Sequence, residues 1–319
     1  MGSDLTVVVG GGAAGICAAI GNARCGGRVL ICEKTRFLGK KILATGNGRC
    51  NLLNDNLDES RYNADAHGLV RSVFDRCGKA DILDFFHELG LETYSQEGRI
   101  FPRTNQAASV LKVLELELKR LAVPVEYGFD CVDLVRDGAG IVVVARSGER
   151  KKCDKVIIAG GGRTYPSFGA DGGAFELARR LGHTVIEPVP SAVPLVVKDR
   201  LCHLLQGQRI FAAAWSIIGG IPGASVCGEL LFTKYGLSGT CILDISEAVS
   251  VAMNRQHQTD VRVALDLVPF MDYQALKEEL AKRCEADWPP EDRLAGLLPN
   301  KFGAALKEIW QQDDLEKIA

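Results

Sequence analysis

Three glycines and one carboxylate within the first 33 residues form the pattern in this chain most able to do chemistry. Gly10, Gly12 and Gly15 stand in the spacing G-x-G-x-x-G, directly after the apolar run 5–9 and at the head of an alanine-rich segment. That spacing suits a dinucleotide. Gly10 makes a tight turn, Gly12 lets backbone approach a pyrophosphate, and Gly15 lets a helix pack on the strand. The free N–H groups and dipole of the helix N-terminus then hold the phosphates. A second apolar strand over 28–32 ends at Glu33, about 20 residues past the glycines, where a carboxylate binds ribose hydroxyls. A lone glycine motif is a weak signal. Strand, helix, strand and terminal acid in register make a stronger one, because an ordinary Gly-rich βα turn leaves Glu33 unexplained.

The stretch 34–54 is the next candidate. Lys34, Arg36, Lys40, Lys41 and Arg49 all precede the next acid, Asp55, and Ala44-Thr45-Gly46-Asn47-Gly48-Arg49-Cys50-Asn51 gathers small and hydrogen-bonding residues. Irregular segments of this length are usually functional or disordered. The Gly and Asn positions predict an ordered loop whose backbone lies close to a ligand, rather than a solvated charged loop. Lys40, Lys41 and Arg49 suit either a pyrophosphate or an anionic group of a substrate. Cys50 has no second cysteine within a few residues. A redox cysteine pair is therefore not expected, and a packed loop thiol is favoured over a lone reactive one.

These groups need a scaffold. Periodicity predicts a helix over 80–89 stopped by Gly90, and a longer one, capped by Thr104, with Ala107, Val110, Leu111, Leu114 and Leu118 on one stripe. Short strands are expected at 125–127, 131–135 and 141–145, joined by short connections into one meander, with Asp137-Gly138 as a hairpin signal. A return strand over 155–159 runs into Gly160-Gly161-Gly162 and a helix over 174–181. A parallel sheet would bring this second strand–glycine–helix unit near the first. From Pro188-Val189-Pro190 the chain turns β-rich, with strands expected at 195–197, 209–214, 228–232 and 261–267. After Pro269 it turns helical: Asp272 caps 273–284, and 301–311 carries Phe302, Leu306, Ile309 and Trp310 on one side. The domains are accordingly placed at 1–190, 191–268 and 269–319.

Composition narrows the classes. At 319 residues the chain has room for two or three domains, and its 47% hydrophobic and 24% charged residues are those of a globular protein. A formal charge of −2 offers no general attraction to nucleic acid. The most apolar stretch, 210–226, is broken by Gly219, Gly220, Pro222 and Gly223, so no membrane span is expected. Eleven cysteines form no C-x-x-C pair, which predicts buried thiols in a reducing compartment and a cytoplasmic protein. The histidines show no metal-ligand spacing.

Gly10–Gly15, Glu33, the 39–51 loop, Gly98-Arg99-Ile100-Phe101-Pro102, the 158–162 turn, 190–195 and Gly228-Glu229-Leu230-Leu231-Phe232-Thr233 occur in order. Together they resemble the bacterial FAD-dependent flavoproteins called aminoacetone-oxidase-like or BaiN-like, over essentially the whole chain. The specific part is Gly39-Lys40-Lys41-Ile42-Leu43-Ala44-Thr45-Gly46-Asn47-Gly48-Arg49-Cys50-Asn51. The resemblance implies an α/β protein with a discontinuous FAD-binding Rossmann-like domain of the glutathione-reductase type. An inserted β-barrel-like domain and a helical subdomain interrupt it. The FAD contacts it implies are Gly10, Gly12, Ala13, Ala14, Gly15, Glu33, Lys34, Lys40, Lys41, Thr45, Gly46, Asn47, Gly48, Arg49, Cys50, Asn51, Val132 on the adenine side, and Ala159, Gly160 and Gly161. Members of the family continue past the helical insert and return to the FAD domain with a Gly-rich segment. None is seen before Ala319, so the chain is expected to lack it.

The function expected from this resemblance is an FAD-dependent oxidoreductase acting on a small organic substrate, with NAD(P)H as a transient co-substrate. Amine oxidation and enone reduction in a steroid or bile acid both suit the family. A flavin-dependent tRNA-modifying protein, which would want a more basic surface, and a non-catalytic flavin-binding protein are the alternatives. Asn47, Arg49 and Asn51, with Arg99 and Tyr165 behind them, are the substrate-side candidates. No acid–base pair, oligomeric state or metal site is read from the sequence.

Overall fold

The computed structural model describes residues 4–309, and the chain divides into two compact units at Ile186/Glu187. In chain order, the first unit contains β1 (Leu5–Val9), α1 (Ala13–Arg24), β2 (Arg28–Glu33), α2 (Lys40–Ala44), β3 (Leu53–Asn54), α3 (His67–Phe74), α4 (Lys79–Glu88), β4 (Thr93–Gln96), β5 (Arg99–Pro102), α5 (Ala107–Arg120), β6 (Val125–Tyr127), β7 (Cys131–Asp137), β8 (Gly140–Ala145), β9 (Arg150–Cys153), β10 (Lys155–Ile158) and α6 (Gly173–Arg180).

Its centre is a four-stranded parallel sheet in the order β10-β1-β2-β6. The central strand is buried on both faces, as parallel strands require. Val8 packs with Ile16, Ile20, Leu114 and Leu118 on the side of α1 and α5. Val7 and Val9 pack with Leu134, Val143 and Leu177 on the other. Full burial of such a side chain contributes about 1.5–3 kcal/mol. The sheet is therefore a rigid base, and the loops at the C-terminal ends of β1, β2 and β10 lie together.

Several expectations are corrected here. Residues 125–127 form β6, paired to β2 in the parallel sheet, and the antiparallel meander is β7-β8-β9. Thr104 does not cap α5. Asn105 takes a left-handed φ of 52° and donates its N–H back to the Pro102 carbonyl, so the helix starts at Ala107 with Gln106 as its cap. The expected stripe of α5, from Ala107 to Leu118, is buried. The 34–54 segment is not wholly irregular, because it contains α2, a 3₁₀ turn at Thr45–Gly48 and β3, which pairs with β5 of the β4–β5 hairpin.

The second unit continues with β11 (Leu195–Val196), α7 (Arg200–Leu204), β12 (Arg209–Ile218), β13 (Ile221–Pro222), β14 (Val226–Thr233), β15 (Gly236–Ser238), α8 (Thr240–Asn254), β16 (Val261–Asp266), α9 (Tyr273–Glu285) and α10 (Lys301–Ile309). Its sheet runs β11-β15-β14-β12-β13, with β16 also on β12, all antiparallel. The fifteen-residue helix α8 was not anticipated within this β-rich stretch. Asp272 caps α9 as expected, accepting the Ala275 N–H at 2.8 Å. Residues from α9 and α10 share one core with the sheet, where Phe302 meets Phe232 edge-on at 5.6 Å. Of the apolar face expected over 301–311, Phe302 and Leu306 are buried, while Trp310 and Gln311 lie outside the described residues.

Candidate functional site

The site begins at the turn between β1 and α1. Gly10 has φ 108°, and a Cβ there would sit 2.6 Å from the Ala159 carbonyl oxygen, because β10 runs parallel beside β1. A Cβ on Gly15 would sit 1.8 Å from the Gly10 carbonyl oxygen. These two glycines are required by the fold itself. Gly12 is different: its φ of −82° suits any residue, and nothing lies within 4 Å of the position its Cβ would take. The α1 N-terminus starting there has no side-chain cap and no acid in its first turn. Its orphan N–H groups and positive dipole end are left for an anion.

Glu33 is buried at the end of β2 and is aimed back at the turn. Its Oε2 accepts the Gly11 N–H at 2.7 Å, and its Oε1 accepts the Thr35 N–H at 2.7 Å. Gly39 N–H donates to the Gly11 carbonyl at 2.9 Å. The carboxylate thus fixes both the turn and the loop after β2, and each oxygen keeps a further lone pair for a hydroxyl.

Around the turn lies a cavity of about 800 Å³, within the range of cofactor sites, about 300–1,000 Å³. Of the residues anticipated from the sequence, Gly10, Gly12, Ala13, Ala14, Glu33, Lys34, Lys40, Lys41, Thr45, Cys50, Asn51, Val132, Ala159, Gly160 and Gly161 line it. Gly15 lies beneath the turn. Gly46, Asn47, Gly48 and Arg49 do not border the cavity; Arg49 points instead into the β4–β5 hairpin. Arg99 is exposed on β5, and Tyr165 is exposed with φ 60° and stacked on Phe168, which does line the cavity.

Further lining residues went unread in the sequence. Gly11 supplies an N–H to Glu33, and a Cβ there would collide with Leu38 at 2.3 Å; its place inside the glycine motif was the available signal. Asp130 pairs with Arg146 at 2.7 Å beside Val132, and Lys34 pairs with Asp171 at 2.9 Å. Lys34 draws the Asp171 carboxyl below its ordinary range. These pairings join segments distant in sequence, so no local pattern announces them. Lys40 and Lys41 form no ion pair among the described residues and leave positive charge at the cavity wall. Part of the remaining wall is apolar, with Cys17, Ile42, Leu52, Phe86, Val110 and Leu114, while Thr35, Glu176 and Arg180 add polar and charged groups.

The cavity's thiols are protonated. Burial raises Cys17 and Cys50, pushes Cys32 up to about 12, and raises Cys131 to about 11. A thiolate nucleophile needs the opposite shift. Among the described residues the cysteines are free, and no group of three or more potential ligands could hold a metal. No described helix is long and apolar enough to cross a membrane.

Comparison with known proteins adds to this geometry. The family described as HI0933-like protein Rossmann domain matches residues 4–296. A 3-dehydro-bile acid delta(4,6)-reductase of Clostridium scindens is 38% identical, over 95% of this chain and 74% of its own length. A ribosomal RNA dihydrouridine synthase of Escherichia coli is 26% identical, over 97% of this chain and 74% of its own length. Among solved structures, a 3-ketosteroid-delta4-(5alpha)-dehydrogenase from Rhodococcus jostii superposes with a TM-score of 0.44 at 16% identity, covering 64% of this chain and 59% of that one.

Proposed function

The chain belongs to the HI0933-like family of Rossmann-domain proteins, and from that premise we propose that it is an FAD-dependent oxidoreductase of a small organic substrate, with NADH or NADPH as electron donor. One observation carries the cofactor reading. At Gly12 the turn leaves open space where a Cβ would stand, directly before an uncapped helix N-terminus, and the buried Glu33 lies across the same turn. That is the shape and donor set an adenosine diphosphate group needs.

FAD supplies the electron-accepting and electron-donating ring, and the protein supplies binding, orientation and electrostatics. In this chain the first-turn N–H groups of α1 hold the pyrophosphate, and Lys40 and Lys41 offset its charge. Glu33 would accept from the ribose hydroxyls, Val132 would border the adenine, and Ala159–Gly161 would close the far wall. Gly160, just past the end of β10, packs closely on α6, where a Cβ would meet the Ala174 Cβ at 3.1 Å. Cys50 stays a neutral wall residue and exchanges no electrons.

Reduction of a conjugated double bond in a steroid-like enone is the favoured reaction, supported by the name of the relative at 38% identity. Amine oxidation, implied by the resemblance alone, is the lesser alternative. A second reading, an RNA-modifying flavoenzyme, is favoured by the relative named ribosomal RNA dihydrouridine synthase. The net charge of −2 weighs against it.

The test is anaerobic titration. The protein is loaded with FAD and mixed with NADH or NADPH, and the visible flavin band is followed before and after a steroid enone is added. Bleaching by a nicotinamide and recovery on adding the enone support the proposal. Failure to retain FAD after gel filtration refutes the cofactor assignment. Recovery with uridine-containing RNA but not with the enone favours the second reading.

A further inference from the structure

Residues 45–50 form a turn under backbone strain. Gly46 (φ 55°), Asn47 (φ 55°), Gly48 (φ 83°) and Cys50 (φ 59°) are all left-handed, and two of them carry a Cβ. Such conformations persist only where the surroundings over-determine them. Arg49, helical between Gly48 and Cys50, provides that constraint. Its Nη2 donates to the Tyr94 hydroxyl at 2.9 Å and to Gln96 Oε1 at 2.8 Å, and its Nε donates to Asn105 Oδ1 at 3.1 Å. The Tyr94 hydroxyl donates to the same Asn105 oxygen at 2.6 Å. The guanidinium lies 4.1 Å from the centre of the Phe101 ring.

The backbone completes the clamp. Cys50 N–H donates to the Thr45 carbonyl at 3.0 Å, and Leu52 N–H donates to the Ile100 carbonyl at 2.9 Å. While the Arg49 side chain points into the hairpin, the flanking Thr45, Cys50 and Asn51 line the cavity. No carboxylate pairs with Arg49 among the described residues, and its acceptors are all neutral oxygens. The residue is thus held by a planar fork and a ring face, features that a lysine lacks.

We infer that Arg49 is a positioning residue: by clamping the strained turn to the β4–β5 hairpin it sets the Thr45–Cys50–Asn51 wall that the bound flavin meets. This use of the wall rests on the FAD reading above. It also distinguishes Arg49 from Lys40 and Lys41, which serve as bare charges facing the cavity.

The experiment compares Arg49→Lys, Arg49→Met and Tyr94→Phe with the unaltered chain. Hydrogen exchange of residues 45–51 is measured without added FAD. FAD affinity, the flavin absorption spectrum and the rate of flavin reduction by nicotinamide are measured with it. Both Arg49 variants should speed exchange at 45–51 by roughly tenfold or more while exchange in β1 and β10 is unchanged. They should also shift the flavin band and slow reduction by roughly 10- to 100-fold, mainly in kcat, with FAD affinity nearly retained. Tyr94→Phe should move the same readouts in the same direction by less. If lysine restores function and methionine mainly weakens FAD binding, Arg49 is a direct cation for the cofactor and the inference is wrong. Unchanged exchange removes the clamp. Faster exchange with an unchanged flavin band and reduction rate reduces it to a structural turn. If the unaltered chain takes up no FAD, the proposed function and this use of the wall both fail, and the exchange measurement still decides the clamp itself.

Discussion

Gly12 and Gly15 stand three residues apart in one motif, yet they answer different demands. Gly15→Ala places a methyl 1.8 Å from the Gly10 carbonyl oxygen, so it should lower stability by about 3 kcal/mol or prevent folding. Gly12→Ala meets no protein atom within 4 Å. Its unfolding free energy should match the parent within about 0.5 kcal/mol, while FAD affinity falls roughly tenfold or more, about 1.4 kcal/mol. Thermal melts and FAD titration of the two variants check this, and equal FAD affinity in Gly12→Ala would remove the pyrophosphate from that turn. Glu33 combines both demands. Its two oxygens hold two backbone N–H groups, each such bond worth about 1.5–3 kcal/mol at most. Glu33→Ala should therefore lower the melting temperature and FAD retention together. Full FAD occupancy after dialysis would show that the carboxylate serves the turn alone.

Among the elements, α1 is held where its N-terminus faces the cavity by a clasp to α5. Buried Glu117 of α5 accepts from Arg24 Nε of α1 at 2.8 Å and from Arg120 Nε at 2.6 Å. The Arg120 hydrogen bond foremost, assisted by Arg24, lowers the Glu117 carboxyl to about 2 against the opposing effect of burial. A depressed acid stabilises the fold above its unfolded pKa, about 4.3, and that stability is lost as pH falls through the folded value. Glu117→Gln should cost about 1–2 kcal/mol at pH 7, discounted for the partly exposed Arg24. The gap between variant and parent melting temperatures should close as pH falls from about 5 toward 2. A gap independent of pH would mean that shape rather than charge holds the clasp. Legibility also varied by element. The α5 stripe was readable because its burial follows the 3.6-residue period. The β4–β5 hairpin and α8 escaped because their burial is set by partners far along the chain.

At the scale of the whole molecule, both units bury neutral thiols. Burial lifts Cys32 to about 12, and Cys131 and Cys202 to about 11. The unfolded chain ionises its thiols near 8.5. Between these values the unfolded state binds fewer protons than the folded one, so stability must fall as pH rises. Urea midpoints should decline from about pH 8.5 upward, and Cys32→Ala should flatten the decline. A flat profile in the parent would mean these thiols ionise as readily folded as unfolded. The two units also keep separate cores, one around the parallel sheet and one joining the antiparallel sheet to α9 and α10. The change of character after Pro188-Val189-Pro190 was readable because a run of strands without Rossmann spacing replaces strand–helix alternation.

By itself the sequence determined the glycine spacing, the acid at the end of β2, the return strand as an element and the Asp272 cap of α9. Each is visible within about one supersecondary unit, where backbone conformation and period act locally, although the pairing of the return strand with β1 joins residues far apart in the chain. Only the tertiary structure decided which of the turn-and-loop residues face the cavity. Arg49 and Asn51 sit two positions apart and look alike as polar loop residues. Tyr94, Gln96, Phe101 and Asn105 arrive from 45 to 56 residues away to draw Arg49 outward, leaving Asn51 on the wall. Gly10 shows both levels: its φ of 108° is a local demand for glycine, and the Ala159 carbonyl just past β10, 2.6 Å from where a Cβ would stand, adds one that only the pairing of β10 with β1 delivers. A side chain's direction depends on partners that long-range pairing delivers, and local pattern carries no record of them.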